Sequence, residues 1–223
     1  MKKTLPIILV VRDRLSLTQQ TIATLFKNTT LPFRLIIISD ASTDETNTHL
    51  TTLSDRARIY MMPGQKGPGA CRNAGAAIAY DYDFLYFTDN DVYFLPGWLE
   101  KLYSIMDTYP NVGICGGYTT DYHKTLGTDN KDGVEVKYTD GQAGHSILIR
   151  KELWLRAGPF AHSNKLGVDD CALSTFVKFL KYDIAQPKKP CIVHCGMTNS
   201  FGDKIFTYDS EIKQKFPEDA LVI

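Results

Sequence analysis

The sequence predicts an α/β protein: a mostly parallel sheet with helices on both faces. Two observations carry this. Three apolar runs, Pro6–Val11 (PIILVV), Phe33–Ser39 (FRLIIIS) and Phe84–Thr88 (FLYFT), are too continuous for strands with a wet face and read as strands covered on both sides. Between them, apolar residues recur at helical spacing, so strand and helix alternate from Pro6 to Thr88.

Taken in order, Pro6–Val11 is the first strand, and Leu15 to Lys27 follows as a helix with Leu15, Ile22, Leu25 and Phe26 on one face. Phe33–Ser39 is the second strand. The run Asp40-Ala41-Ser42-Thr43-Asp44-Glu45 is rich in capping residues and opens a helix toward Leu53. Arg58–Met62 is a short third strand. A glycine-rich loop, Gly64–Gly69, leads into a small-residue helix over Ala70–Tyr80. Phe84–Thr88 is the fourth strand, and Asp89-Asn90-Asp91 stands at its exit. The second half is less regular. Pro96-Gly97 opens a helix carrying Leu99, Leu102, Tyr103, Met106 and Tyr109. Val112–Cys115 is a strand, and Tyr118–Tyr138 reads as a long polar loop with a hairpin piece at Val134–Tyr138. Ser146–Arg150 is a strand, Lys151–Ala157 a short helix, Asp170–Lys181 a longer helix and Ile192–His194 a last strand. A further helix is expected near Tyr208–Phe216.

Composition bounds the function. The chain has 223 residues, enough for one large domain, and 25 basic residues balance 25 acidic ones. That balance leaves no strong nucleic-acid footprint. No apolar run approaches the length of an integral membrane segment. The N-terminal apolar run ends at Arg12-Asp13-Arg14 without a small-residue cleavage site, so it reads as a core strand and not a leader. Five scattered cysteines fit a reducing, cytoplasmic setting. Cys191, His194 and Cys195 lie close together, but no second ligand pair stands at a zinc spacing.

In a parallel sheet, ligands bind beyond the carboxyl ends of the strands. Asp13, Asp40, Gly67 and Asp89 all fall just after strands and are expected to converge on one rim. Two carboxylates in Asp89-Asn90-Asp91 form a hard anionic site suited to Mn2+ or Mg2+ and, behind the cation, a diphosphate. A dinucleotide-binding loop does not fit: no glycine follows the first strand, and Arg72 stands where the third glycine of Gly67-Pro68-Gly69 would be needed.

The ordered motifs resemble those of family 2 glycosyltransferases of the GT-A fold. Asp40-Ala41-Ser42-Thr43-Asp44 resembles the family's D-[DG]-x-S-x-D turn, and Gly67 to Gly75 its G-x-x-x-A-R-N-x-G segment. Asp89-Asn90-Asp91 with Pro96 to Leu99 is similar to its D-x-D and P-x-x-L pair. Arg150-Lys151-Glu152 with Gly158-Pro159-Phe160, and Asp169-Asp170 with Tyr182-Asp183-Ile184, resemble two later segments. The resemblance implies a single GT-A domain over residues 1–196, with a nucleotide-sugar half (1–95), an irregular acceptor half (96–196) and a packed tail (197–223). It implies a metal-dependent, inverting transfer from a nucleotide-diphosphate sugar, UDP preferred over GDP, to an acceptor hydroxyl on a glycan, lipid-linked sugar, protein or modified nucleobase.

By the same resemblance, Val11, Arg12, Asp13, Asp40, Gly67, Arg72, Asn73, Asp89 and Asn90 face the donor, with Arg72 either at the diphosphate or in a structural salt bridge to Asp40 or Asp89. Asp91 is the metal ligand, Asp89 the ribose contact and second ligand, and His194 a third ligand or a core histidine. Asp170 is the general base, preferred over Asp169 by its spacing to Tyr182. Trp98, Gly144 and Asp169 are placed on the acceptor side. The chain departs from the family where Arg12 replaces the aromatic that stacks on the base, where Ala172 replaces an Asp and where Lys181 replaces a Gly. A nucleotide-sugar-binding protein without turnover and a sugar nucleotidyltransferase are the alternatives.

Overall fold

The computed structural model describes residues 3–117, 123–161 and 168–195. The expected tail and its helix near Tyr208–Phe216 lie outside the described residues. The first half follows the expected alternation: β1 (Leu5–Val11), α1 (Leu15–Asn28), β2 (Phe33–Ser39), α2 (Thr46–Thr51), β3 (Ala57–Met61), α3 (Pro68–Ile78) and β4 (Phe84–Asp89). Then come β5 (Val92–Phe94), α4 (Trp98–Thr108), β6 (Val112–Cys115), β7 (Thr125–Lys131), β8 (Val134–Thr139), β9 (Ser146–Arg150), α5 (Lys151–Ala157), α6 (Val168–Phe179), β10 (Asp183–Pro187) and β11 (Ile192–His194).

Among the described residues nine strands form one sheet in the order β3-β2-β1-β4-β9-β6-β10-β8-β7. Its first four strands are parallel, with β1 between β2 and β4. Then β9 runs antiparallel to both β4 and β6, β10 is parallel to β6, and the hairpin β7–β8 closes the far edge. Alternate residues of β1 serve two cores. Leu5, Ile7, Leu9 and Val11 pack with Ile22 and Leu25 of α1, Leu50 of α2 and Leu99 of α4. Ile8 and Val10 pack with Cys71 and Ala76 of α3, Leu153 of α5 and Leu173 and Val177 of α6. The result is the three-layer, mixed α/β architecture expected.

Three strands differ from expectation. Thr125–Lys131 forms an edge strand where a loop is expected; all seven residues are exposed, so no buried face writes an alternating pattern. Asp183–Pro187 is a strand that its composition hides. The third, β5, pairs antiparallel with β11 as a separate two-stranded sheet.

Candidate active site

Strand register builds the site. Val11 pairs with Ser39, so β1 and β2 release Arg12 and Asp40 side by side. Val10 pairs with Asp89, so β4 ends next to them. A cleft of about 780 Å3 opens at this rim, lined by Arg12, Asp13, Arg14, Asp40, Gly67, Asp89, Asn90 and Asp91 among others. The expected convergence of Asp13, Asp40, Gly67 and Asp89 is therefore met. Its floor is strained: Asp13, Arg14 and Ala41 are left-handed, with φ of 49°, 62° and 54°. Non-glycine residues in that region cost about 1–2 kcal/mol each.

Hydrogen bonds fix this turn. Asp13 accepts from the Thr43 N–H at 2.6 Å, and its own N–H donates to Ser42 Oγ at 2.9 Å. Asp40 is 3% exposed and accepts from the N–H groups of Lys66 (2.6 Å) and Gly67 (3.0 Å). Those two amides of the glycine loop are thus spent on Asp40. Arg12 hangs above, with Nη1 4.0 Å from Asp40 and Nε 3.7 Å from Asp13; its Nη1 is buried without a hydrogen-bond partner.

A second group surrounds Asp91. The β5–β11 ladder sets Val92 opposite His194, and the Cys195 N–H bonds the Asp91 carbonyl at 2.6 Å. His194 Nε2 consequently lies 3.1 Å from Asp91 Oδ1. Arg14 Nη1 reaches Asp91 Oδ2 at 2.9 Å. Burial pushes the Asp91 carboxyl up, but His194 and Arg14 outweigh it and hold its pKa below the ordinary value. Burial opposes charge on His194, and Asp91 outweighs that too, lifting the imidazole pKa. His145 stacks on His194 at 4.4 Å, and burial together with that neighbour drives its pKa far down.

Asp91 and His194, hydrogen-bonded to each other, offer an oxygen and an imidazole nitrogen of the kinds that ligate a divalent cation. Cis ligands about 2.1 Å from an octahedral ion stand about 3 Å apart, matching the 3.1 Å between Oδ1 and Nε2. Among the described residues no third His, Cys, Asp or Glu completes a cluster with them. Asp89 gives Oδ1 to Arg72 at 2.6 Å. Burial raises its pKa, an effect that Arg72 only partly offsets.

The structure corrects several expected roles. Of the two readings of Arg72, the geometry matches the ion pair with Asp89: the residue is 2% exposed, and its two terminal nitrogens are held by Asp89 and Asp169. Gly144 does not make room for an acceptor. A Cβ there would stand 2.5 Å from Arg72 Nη2, so the missing side chain admits the guanidinium. Asn73 spends its amide on both backbone groups of Phe160, at 2.8 and 3.0 Å. Asn90 donates to the Asp13 carbonyl and to Thr18 Oγ1, tying the β4 exit to α1. Val11 is fully buried, with its carbonyl bonded by the Asp40 N–H. Trp98 is not an acceptor contact: it is 0% exposed, packs on Tyr86 and Phe94 and donates to Thr29 Oγ1.

Asp169 is 3% exposed and pairs with Arg72, while Asp170 is only partly buried. Asp170 accepts from the Gly144 N–H (2.8 Å) and from the Cys171 N–H (2.7 Å). Burial raises its pKa from the ordinary aspartate value despite those two bonds. Gly144 thus links the two carboxylates: its N–H donates to Asp170, and its backbone lies against the guanidinium that holds Asp89.

Two features escape the sequence reading. Arg14 carries no assignment there, although it belongs to the same post-strand turn as Asp13. Thr18, Thr21 and Thr24 of α1 are buried, and Thr21 and Thr24 accept the N–H groups of Val92 and Phe94 at 3.1 and 3.3 Å. Their spacing of three along a helix was the available signal.

Solved structures share this fold. The chain superposes on the mannosyltransferase PcManGT from Pyrobaculum calidifontis, solved with GDP-Man and Mn2+, with TM-score 0.69 and 17% identity, covering 87% of this chain and 57% of that one. GalNAc-T7 with UDP, GalNAc and Mn2+ matches with TM-score 0.69 and 14% identity over 86% of this chain and 44% of that one. S. aureus TarS 1–349 gives 0.67 and 14%, over 86% and 60%. The chain thus spans about half the length of these structures. No curated protein matches it in sequence. The sequence model of glycosyl transferase family 2 matches residues 7–161, from β1 past α5, more than half of the chain and the whole cleft rim. The chain belongs to glycosyl transferase family 2.

Proposed function

We propose that the protein is a metal-dependent, inverting glycosyltransferase that moves a sugar from a nucleotide-diphosphate donor, UDP in preference to GDP, to an acceptor hydroxyl. The observation that carries this reading is the convergence of Asp91 and His194 at 3.1 Å on a cleft walled by Asp40 and Arg12. Solved neighbours of the same fold hold Mn2+ with GDP-Man or with UDP and GalNAc, and TarS holds UDP-GlcNAc.

Asp91 and His194 are the residues that would hold the cation. When bound, the cation neutralises charge on the departing nucleoside diphosphate. Asp89 accepts from the ribose while Arg72 fixes its carboxylate from behind. Arg12, left with an unpartnered Nη1, meets the nucleoside across Asp40. Asp170 removes the acceptor proton during in-line attack at the anomeric carbon. Its raised pKa supports that task, because a more basic carboxylate is the better proton acceptor. Asp169 acts through Arg72 as a positioning residue. Five free thiols, four of them buried, support a reducing, cytoplasmic setting. No helix among the described residues is long and apolar enough to cross a membrane.

Titration with UDP and with GDP, each with and without Mn2+, tests the donor side. UDP binding should require Mn2+ and weaken in Asp91→Ala; metal-independent binding that survives the substitution rejects the cation role. Release of UDP from UDP-sugars in the presence of Mn2+ separates an enzyme from a binding protein of the same fold.

A further inference from the structure

The opposite rim of the sheet carries a second concavity. Phe33 opens β2 and Ala57 opens β3, so Arg34, Arg56 and Arg58 gather at the amino ends of these strands. At about 3.3 Å per residue, β2 separates this rim from Asp40 by roughly 20 Å. The concavity measures about 360 Å3 and is lined by Phe33, Arg34, Asp55, Arg56, Arg58 and Tyr80 among others. Three guanidinium groups therefore face one carboxylate, in a chain whose charges balance overall.

The three cations are held by ring faces. Arg34 lies 4.3 Å from the Tyr80 ring centroid and donates to the carbonyls of Tyr80 and Asp81. Arg58 approaches the same ring at 5.9 Å, and Arg56 lies 4.0 Å from the centroid of Phe26. Stacking occupies the faces of a guanidinium and leaves its N–H edge to donate. Among the described residues none of the three has a carboxylate oxygen within 4.0 Å. Lys3, Arg72 and Lys188 all do. Asp81, whose backbone carbonyl Arg34 bonds, has its carboxylate held by Lys3 at 2.8 Å. Planar donors whose faces are already held lose little freedom when they fork onto a tetrahedral oxyanion.

We propose that this concavity is a second binding site, for a phosphate group borne by a ligand distinct from the sugar donor. The phosphate belongs either to a soluble phosphorylated molecule or to a phospholipid headgroup. Site and ligand are independent of the cleft, so failure of one proposal does not touch the other.

Isothermal titration of inorganic pyrophosphate into the full chain, in EDTA, is the first arm. Wild-type and Arg12→Gln/Arg14→Gln protein should bind alike, whereas Arg56→Gln/Arg58→Gln should bind about tenfold more weakly or worse. Arg58→Lys, which keeps the charge and loses the fork, should fall between, and thermal midpoints report whether each variant is folded. Co-sedimentation with phosphatidylcholine vesicles, with and without phosphatidylglycerol, is the second arm. Arginine-dependent capture by the anionic vesicles assigns the phosphate to lipid; pyrophosphate binding without capture assigns it to a soluble ligand. Binding in both arms that ignores Arg56 and Arg58, or no binding in either, overturns the proposal and leaves the arginines as packing.

Discussion

At the scale of single residues, Arg14 already holds one oxygen of the carboxylate proposed to take the cation. Its guanidinium lies 2.9 Å from Asp91 Oδ2, on a side chain about half exposed and anchored to a left-handed backbone. Arg14→Gln should therefore tighten Mn2+ binding several-fold, read by electron paramagnetic resonance of free Mn2+, while Asp91→Asn should abolish it; unchanged affinity in Arg14→Gln would exclude competition. Asp170→Asn should lower turnover by roughly 10²–10⁴ with donor affinity retained. Burial raises the Asp170 pKa, so its deprotonated form is lost sooner as pH falls than that of an ordinary Asp. The acid limb of the rate profile should accordingly lie at higher pH than an ordinary aspartate would give and disappear in Asp170→Asn. The positions of Asp40, Asp89 and Asp91 were legible because each follows an apolar run that can only be a buried strand. What each carboxylate touches was not, because its partners lie far away in sequence: Arg72 meets Asp169 across 97 residues.

At the scale of elements, close approach of helix to sheet explains Gly75. A Cβ there would lie 2.3 Å from Ile8 Cγ2, so α3 sits on β1 with no room for a methyl group. Gly75→Ala should cost about 1–3 kcal/mol through overpacking, against about 1 kcal/mol gained in helix propensity. Calorimetry should show a lower thermal midpoint, and Ile8→Ala beside it should recover part of the interaction in a double-mutant cycle. Helices and buried strands were readable because their burial imposes a period. Edge strand β7 was not, since exposed Thr, Asp, Asn and Lys carry no such mark. The three-residue β5 is stabilised from outside its own sequence, by Thr21 and Thr24 of α1 and by β11.

Across the whole molecule, Arg72 is the electrostatic joint between the two halves. It binds Asp89 on β4 and Asp169 on α6 from a position 2% exposed. Arg72→Ala would strand two carboxylates and should cost about 3–5 kcal/mol, measured by urea unfolding at neutral pH. A loss below about 1 kcal/mol would mean that water already screens the pair. The sequence offered Asp89 as one partner of Arg72, but nothing in its local pattern points to Asp169 on α6. The small β5–β11 ladder has a temporal consequence. Asp91 and His194 are 103 residues apart. A ribosome releases the first rim carboxylates, with the parallel strands that hold them, long before β11 exists to bring the imidazole back. If the parallel strands fold as they emerge, the rim bearing Asp40 and Asp89 forms before the Asp91–His194 contact can. Chains halted before Ile192 should fold their first sheet strands yet bind Mn2+ no better than Asp91→Asn, which equilibrium dialysis of such a truncated chain would show.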